Sequence, residues 1–227
     1  DELHKMYDAA GVVSEIMRVL QKSETNVVGE ILKTSEEFNE WEHVPNEDVY
    51  DRNSHCQYYY HAHKKSEDGS NIHDDEHGHF HTFIRGKAIP EAMKPVALDD
   101  YDPQMDISDV NTHVIGVGMD ASGLPMRLFT VNRWVTGEVW HKGSDIIELL
   151  DQFEIDDVRP TWPINLWVTN MIALFKPQIK QLILQRDAQI EEWQAQYMNE
   201  NVFEKRELEV TSHLDINILG QINALED

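Results

Sequence analysis

The chain has 227 residues, with 42 Asp and Glu against 19 Lys and Arg, for a formal net charge of −23 at pH 7. It is long enough to bury a substantial core, but it has no basic surplus for nucleic-acid phosphates or anionic membranes, and no apolar run of about eighteen residues that would insert into a bilayer. Cys56 is the only cysteine, which excludes an intrachain disulfide and a cysteine-built zinc knuckle or iron–sulfur cluster.

Leu3, Met6, Ala10, Val13, Met17 and Leu20 recur three or four apart and predict one amphipathic helix over residues 3–20. Ser23 to Asn26 interrupts it, and Val27 to Phe38 reads as a second helix. Residues 41–56 are polar and irregular. Gln57 to His63 is rich in strand formers, residues 64–76 form an acidic loop, and His77 to Ile84 alternates as a second strand. Pro90, Pro95 and Pro103 mark residues 86–110 as a long connection. Thr112–Met119 and Pro125–Thr136 read as a hairpin closed at Asp120-Ala121-Ser122-Gly123. Gly116 and Gly118 share one face of its first strand, where a packed helix or a ligand is expected to approach closely.

The remainder is helical. One helix is expected from Ser144 to Phe153. Another opens at Thr161-Trp162-Pro163, with a break near Lys176 imposed by Pro177. Residues 207–211 suggest a last strand, followed by a short helix with Ile218, Ile222 and Leu225. The order helices, strands, helices predicts an α+β fold: an antiparallel sheet built from the central segments, covered by N- and C-terminal helices. Residues 1–40 would be a helical segment and residues 41–227 the α+β domain. No secretory leader is visible, and the cytoplasm is the expected location.

Seven of the twelve histidines fall between His55 and His81. His61 and His63 are two apart, as are His77, His79 and His81, and residues two apart on a strand share a face. Two such strands side by side would gather four or five imidazoles, which are costly to bury unless each ring nitrogen has a partner. A transition metal (zinc, iron or copper) meets that need. The metal ligands expected are His61, His63, His79 and His81, with His77 as a fifth. Glu67, Asp74, Asp75 and Glu76 stand near enough in sequence to add a carboxylate. Tyr59, Glu76, His113 and Arg133 are candidates for supporting the ligands or binding substrate. Two rival readings use the same residues: a loose histidine-rich loop, and a metal-free network of histidines and tyrosines.

Arg127, Arg133, Trp134, Glu138 and His141 form a second constellation. Arg133 would clamp an anion or serve a structural ion pair. His61-Ala62-His63 with Glu67 resembles the first half of a cupin metal motif, whose second half is absent. No phosphate-binding glycine loop and no Gly-x-Ser-x-Gly elbow occurs.

Several blocks together carry a wider resemblance: Gln57 to His63, Glu76 to Phe83, Asn132 to Glu138, Arg159 to Pro163 and Leu208 to Ser212. In these, residues 40–220 resemble a bacterial family known only as a domain of unknown function, and the resemblance implies no activity. The histidines point to a metal-dependent enzyme acting on a small molecule. The alternatives are a metal carrier, buffer or sensor, and a metal-free interaction module.

Overall fold

A computed structural model describes the chain except for residues 36–38, 63, 64, 68, 70, 103 and 227. Six strands form one antiparallel sheet in chain order: β1 (Val44–Tyr50), β2 (Cys56–His61), β3 (Gly78–Arg85), β4 (Asn111–Met119), β5 (Pro125–Val131) and β6 (Val210–Asp215). The α-helices among the described residues are α1 (Glu2–Lys22), α2 (Val27–Leu32), α3 (Arg133–Thr136), α4 (Gly143–Leu149), α5 (Trp162–Leu174), α6 (Lys176–Gln196) and α7 (Ile218–Glu226). This is the expected α+β architecture, and both histidine segments lie in the same sheet as the central hairpin. No helix among the described residues is long and apolar enough to cross a membrane.

Helices α1 and α2 form because their apolar residues recur on one face and their first turns are capped. In α1 the Asp1 carboxylate accepts from the Leu3 N–H, and Met6, Ala9, Ala10, Val13 and Leu20 are buried. Asn26 caps α2 by accepting from the Gly29 N–H. The expected break at Lys176 is the boundary between α5 and α6. Pro177 sits in the first turn of α6, where its missing N–H costs nothing, whereas inside a continuous helix it would leave a carbonyl without a donor.

One face of the sheet carries most of the core. Tyr58, Tyr60, Phe80, Ile115, Val117 and Leu128 pack in one apolar cluster with Trp167, Met171, Phe175, Ile179 and Ile183 from α5 and α6. The Tyr58 hydroxyl donates to Asn165 Oδ1 at 2.6 Å, tying β2 to α5. Met6 and Val13 of α1 belong to the same cluster.

The structure corrects three sequence expectations. Residues 44–50, read as irregular, form an edge strand in which only Val44 and Val49 are buried. An edge strand exposed on most of its surface loses the apolar alternation that reveals a strand. The return strand of the hairpin ends at Val131 and not at Thr136, because the Asn132 side chain accepts from the Arg133 N–H and starts α3, which Gly137 closes at φ 63°. The last strand runs from Val210 to Asp215, a few residues later than the expected 207–211.

Candidate metal centre

The sheet face opposite the helices holds the histidines, and the strand register decides which residues meet there. Tyr59, His81, Gly116 and Phe129 lie in one row across β2 to β5, and His61, His79, Gly118 and Arg127 lie in the next. The β3–β4 register shifts between Thr82 and Phe83, so that Phe83 faces His113 while Thr82 faces Ile115. This bulge leaves Val114 unmatched and puts His113 on the same face as Gly116, three residues away. Strict alternation would have put them on opposite faces.

The two glycines make room for side chains of the centre, not for a helix. A Cβ at position 116 would lie 2.4 Å from Phe129 Cζ, and one at position 118 would lie 2.3 Å from Glu76 Oε1. Phe129 in turn packs against the rings of His73, His79 and His81. Gly116→Ala is therefore expected to cost about 1–3 kcal/mol by overpacking. Urea denaturation measures this, and an unchanged midpoint would show that the Phe129 ring has somewhere else to go.

The loop between β2 and β3 adds two groups. Asp74 accepts from the Ser66 and Asn71 N–H groups, and the Asn71 side chain accepts from the His73 N–H. Arg127 reaches over from β5. Its guanidinium donates to the Ile72 carbonyl, to Asp75 Oδ1 at 3.1 Å and to Asp215 Oδ1 at 2.8 Å. These bonds hold the turn on the sheet and bring His73 and Glu76 down onto the histidine face, where both are buried.

The polar atoms there form two hydrogen-bonded groups. His61 Nε2 lies 2.7 Å from His79 Nε2. The other nitrogen of His79, Nδ1, lies 3.0 Å from Glu76 Oε2, and the same oxygen lies 2.9 Å from His73 Nδ1. His81 Nδ1 lies 3.0 Å from His113 Nε2. Among the described residues two groups have potential ligand atoms within 4.8 Å of one another, and they share His79: His61, His79 and His81, and His73, Glu76 and His79.

Charge follows burial and neighbours. Burial alone would raise the Glu76 carboxyl, but its bonds to His73 and His79 outweigh that and hold it down to about 2. Burial, with the neighbouring imidazoles adding to it, pushes His81 well below the ordinary histidine range. His113 is pushed down to about 3 by burial, then by Arg186 and His79. Glu138 is fully buried beside His113. One of its carboxylate oxygens accepts from the His113 N–H at 2.7 Å, and burial drives its carboxyl up to about 7.

The predicted residues divide clearly. His61, His79 and His81 come together, with Glu76 and His113 bonded to them. Tyr59 lies beside them, its ring 5.4 Å from that of His61 and 5.3 Å from that of His81, and it stacks on His43 at 3.6 Å. His63 lies outside the described residues. His77 precedes the strand, and its Nδ1 pairs with the Tyr60 hydroxyl at 2.7 Å, on a residue of the helix-facing core. Arg133 pairs with Asp100 and Glu204 and lies over the Tyr101 ring. His73 was missed, because a histidine in an acidic loop carries no periodicity to mark it.

No curated protein and no solved structure matches the chain. The family model described as a domain of unknown function, DUF6969, matches residues 7–216 and so takes in most of α1 as well as the whole sheet. By that match the chain belongs to the DUF6969 family.

Proposed function

We propose that the protein is a metal-dependent enzyme acting on a small molecule, with a transition-metal ion held by His61, His79 and His81. The observation that carries this reading is the convergence of three imidazoles, two of which meet a partner on the far nitrogen. Glu76 meets Nδ1 of His79, and His113 meets Nδ1 of His81. That pattern, a ligand histidine held by a carboxylate or another acceptor on its far nitrogen, is how proteins fix ring orientation at a metal. It turns Nε2 of His79 and of His81 toward the ion, and imidazole nitrogens suit zinc, copper or iron.

Three protein ligands leave a coordination position open, and an ion so bound supplies Lewis acidity or a bound hydroxide near neutral pH. His79 and His81 are buried while His61 is partly exposed, so access is from the His61 side and suits a small substrate. An interaction module would need this aromatic and histidine face exposed, but Tyr59, His79, His81 and Phe129 are all buried. The test is to load metal-free protein with Cu(II) and add azide. One or more tightly bound ions, with an azide-to-copper charge-transfer band, is the expected result. Tight copper that azide does not reach would leave the carrier reading, and no tight copper would overturn the metal site.

A further inference from the structure

We infer that His79 bridges two metal ions, the first shared with His61 and His81 and the second held by His73 and Glu76. This rests on the proposed metal site and extends it. The two sets of potential ligands meet at opposite nitrogens of one ring: His61 approaches Nε2 of His79, and Glu76 approaches Nδ1. Opposite nitrogens of an imidazole, each about 2.0–2.1 Å from its ion, would hold two ions about 6 Å apart.

The second set is built more fully than an orienting carboxylate requires. To orient His79, Glu76 needs to meet only His79 Nδ1. Instead the same Oε2 is met by Nδ1 of two rings, at 2.9 and 3.0 Å. Two ligand atoms at right angles around one ion would be about 2.9 Å apart, so an ion could enter with little movement. The side chains of His73, Glu76 and His79 are only 2, 1 and 4 % exposed. Arg127 lies 3.4 Å from the other oxygen of Glu76, Oε1, which leaves Oε2 turned to the two rings. The arginine does not repel a cation strongly here, because Asp75 and Asp215 already pair with its guanidinium. Gly118 leaves room for the Glu76 carboxylate to lie against β4.

The protons balance. A neutral His79 carries one N–H. Binding an ion at each nitrogen breaks that N–H bond and releases the proton to solvent, and the anionic ring is compensated by the second cation.

The experiment titrates metal-free protein with Cu(II) alone and counts tightly bound copper after desalting, together with its electron paramagnetic resonance. Wild type is expected to hold two copper ions per chain, with an integrated signal well below two spins at low temperature because a shared ring couples them. His73→Ala and Glu76→Gln are each expected to hold one, with a full single-spin signal. Circular dichroism checks folding, and His73→Gln, which keeps a polar side chain in place, serves if the alanine variant is unstable. One ion in wild type, unchanged in the His73 variants, overturns the bridge and leaves the proposed function standing. Two ions with independent spins also overturn the bridge. No tight copper overturns both.

Discussion

His79→Ala is expected to strip the protein of tightly bound metal, because it removes the one ring that touches both groups of potential ligands. Replacing a residue that only supports a ligand typically costs about 10–100-fold in metal affinity, and loss of the ligand itself should cost more. Combining His79→Ala with His81→Ala should then add little, since nothing tight is left to lose. His77→Ala is the control: its ring nitrogen faces the Tyr60 hydroxyl, so metal content should stay at the wild-type value. Elemental analysis of untagged protein after desalting reads all three. Graded losses of similar size in the His61, His77, His79 and His81 variants would show a loose histidine-rich tract with no defined centre.

Glu138→Gln is expected to change how stability depends on pH. Burial raises the Glu138 carboxyl to about 7, with Arg186, the His113 N–H, Thr136 and Arg133 pulling the other way. The same group in the unfolded chain titrates near about 4.3. Below that value both states carry the proton and the group has no effect on the pH dependence. Between about 4.3 and 7 the unfolded chain is ionised while the folded chain keeps the proton, so stability falls as pH rises. Above 7 both are ionised and the penalty stays constant. At about 1.4 kcal/mol per unit, the group should cost the wild type about 2–3 kcal/mol between pH 5 and pH 8. Glutamine keeps an acceptor for the His113 N–H and has no charge to desolvate. The stability difference between Glu138→Gln and wild type, measured by urea denaturation of metal-free protein, should therefore shift by that amount in favour of the variant as pH rises. Parallel stability curves would mean that the carboxylate reaches solvent in the folded protein.

A buried carboxylate whose pKa burial raises, bonded to the backbone of a buried histidine on this face, is the sort of group found at functional sites. Glu138 was visible in the sequence only as a member of the constellation around Arg133. In the structure Arg133 pairs with Asp100 and Glu204, while Glu138 accepts from the backbone N–H of His113.

The sequence by itself determined most of the elements and much of the face. Alternation at His79 and His81, and in the residues leading to His61, is a local property of a half-buried strand, since each side chain's direction follows from its position along the chain. The start of α5 and the break between α5 and α6 were legible for the same reason, because Pro163 and Pro177 act on their own turns. What crosses between strands was not legible. His113 joins the centre only because a bulge beside it reverses its face, and a bulge depends on how β3 and β4 pair. His73 and Glu76 arrive on a loop held down by Arg127 from β5, 51 residues after Glu76 in the chain. Gly116 and Gly118 signalled a close approach, but only the packed structure shows that the approaching groups are Phe129 and Glu76. His77 continued the alternation on paper, yet the strand starts at Gly78, and beyond a strand end the period no longer sets where a side chain points. Periodicity is written residue by residue, whereas register, bulges and loop closure are set by the lowest-energy pairing of segments far apart in the chain, and on this face those pairings decide which histidines meet.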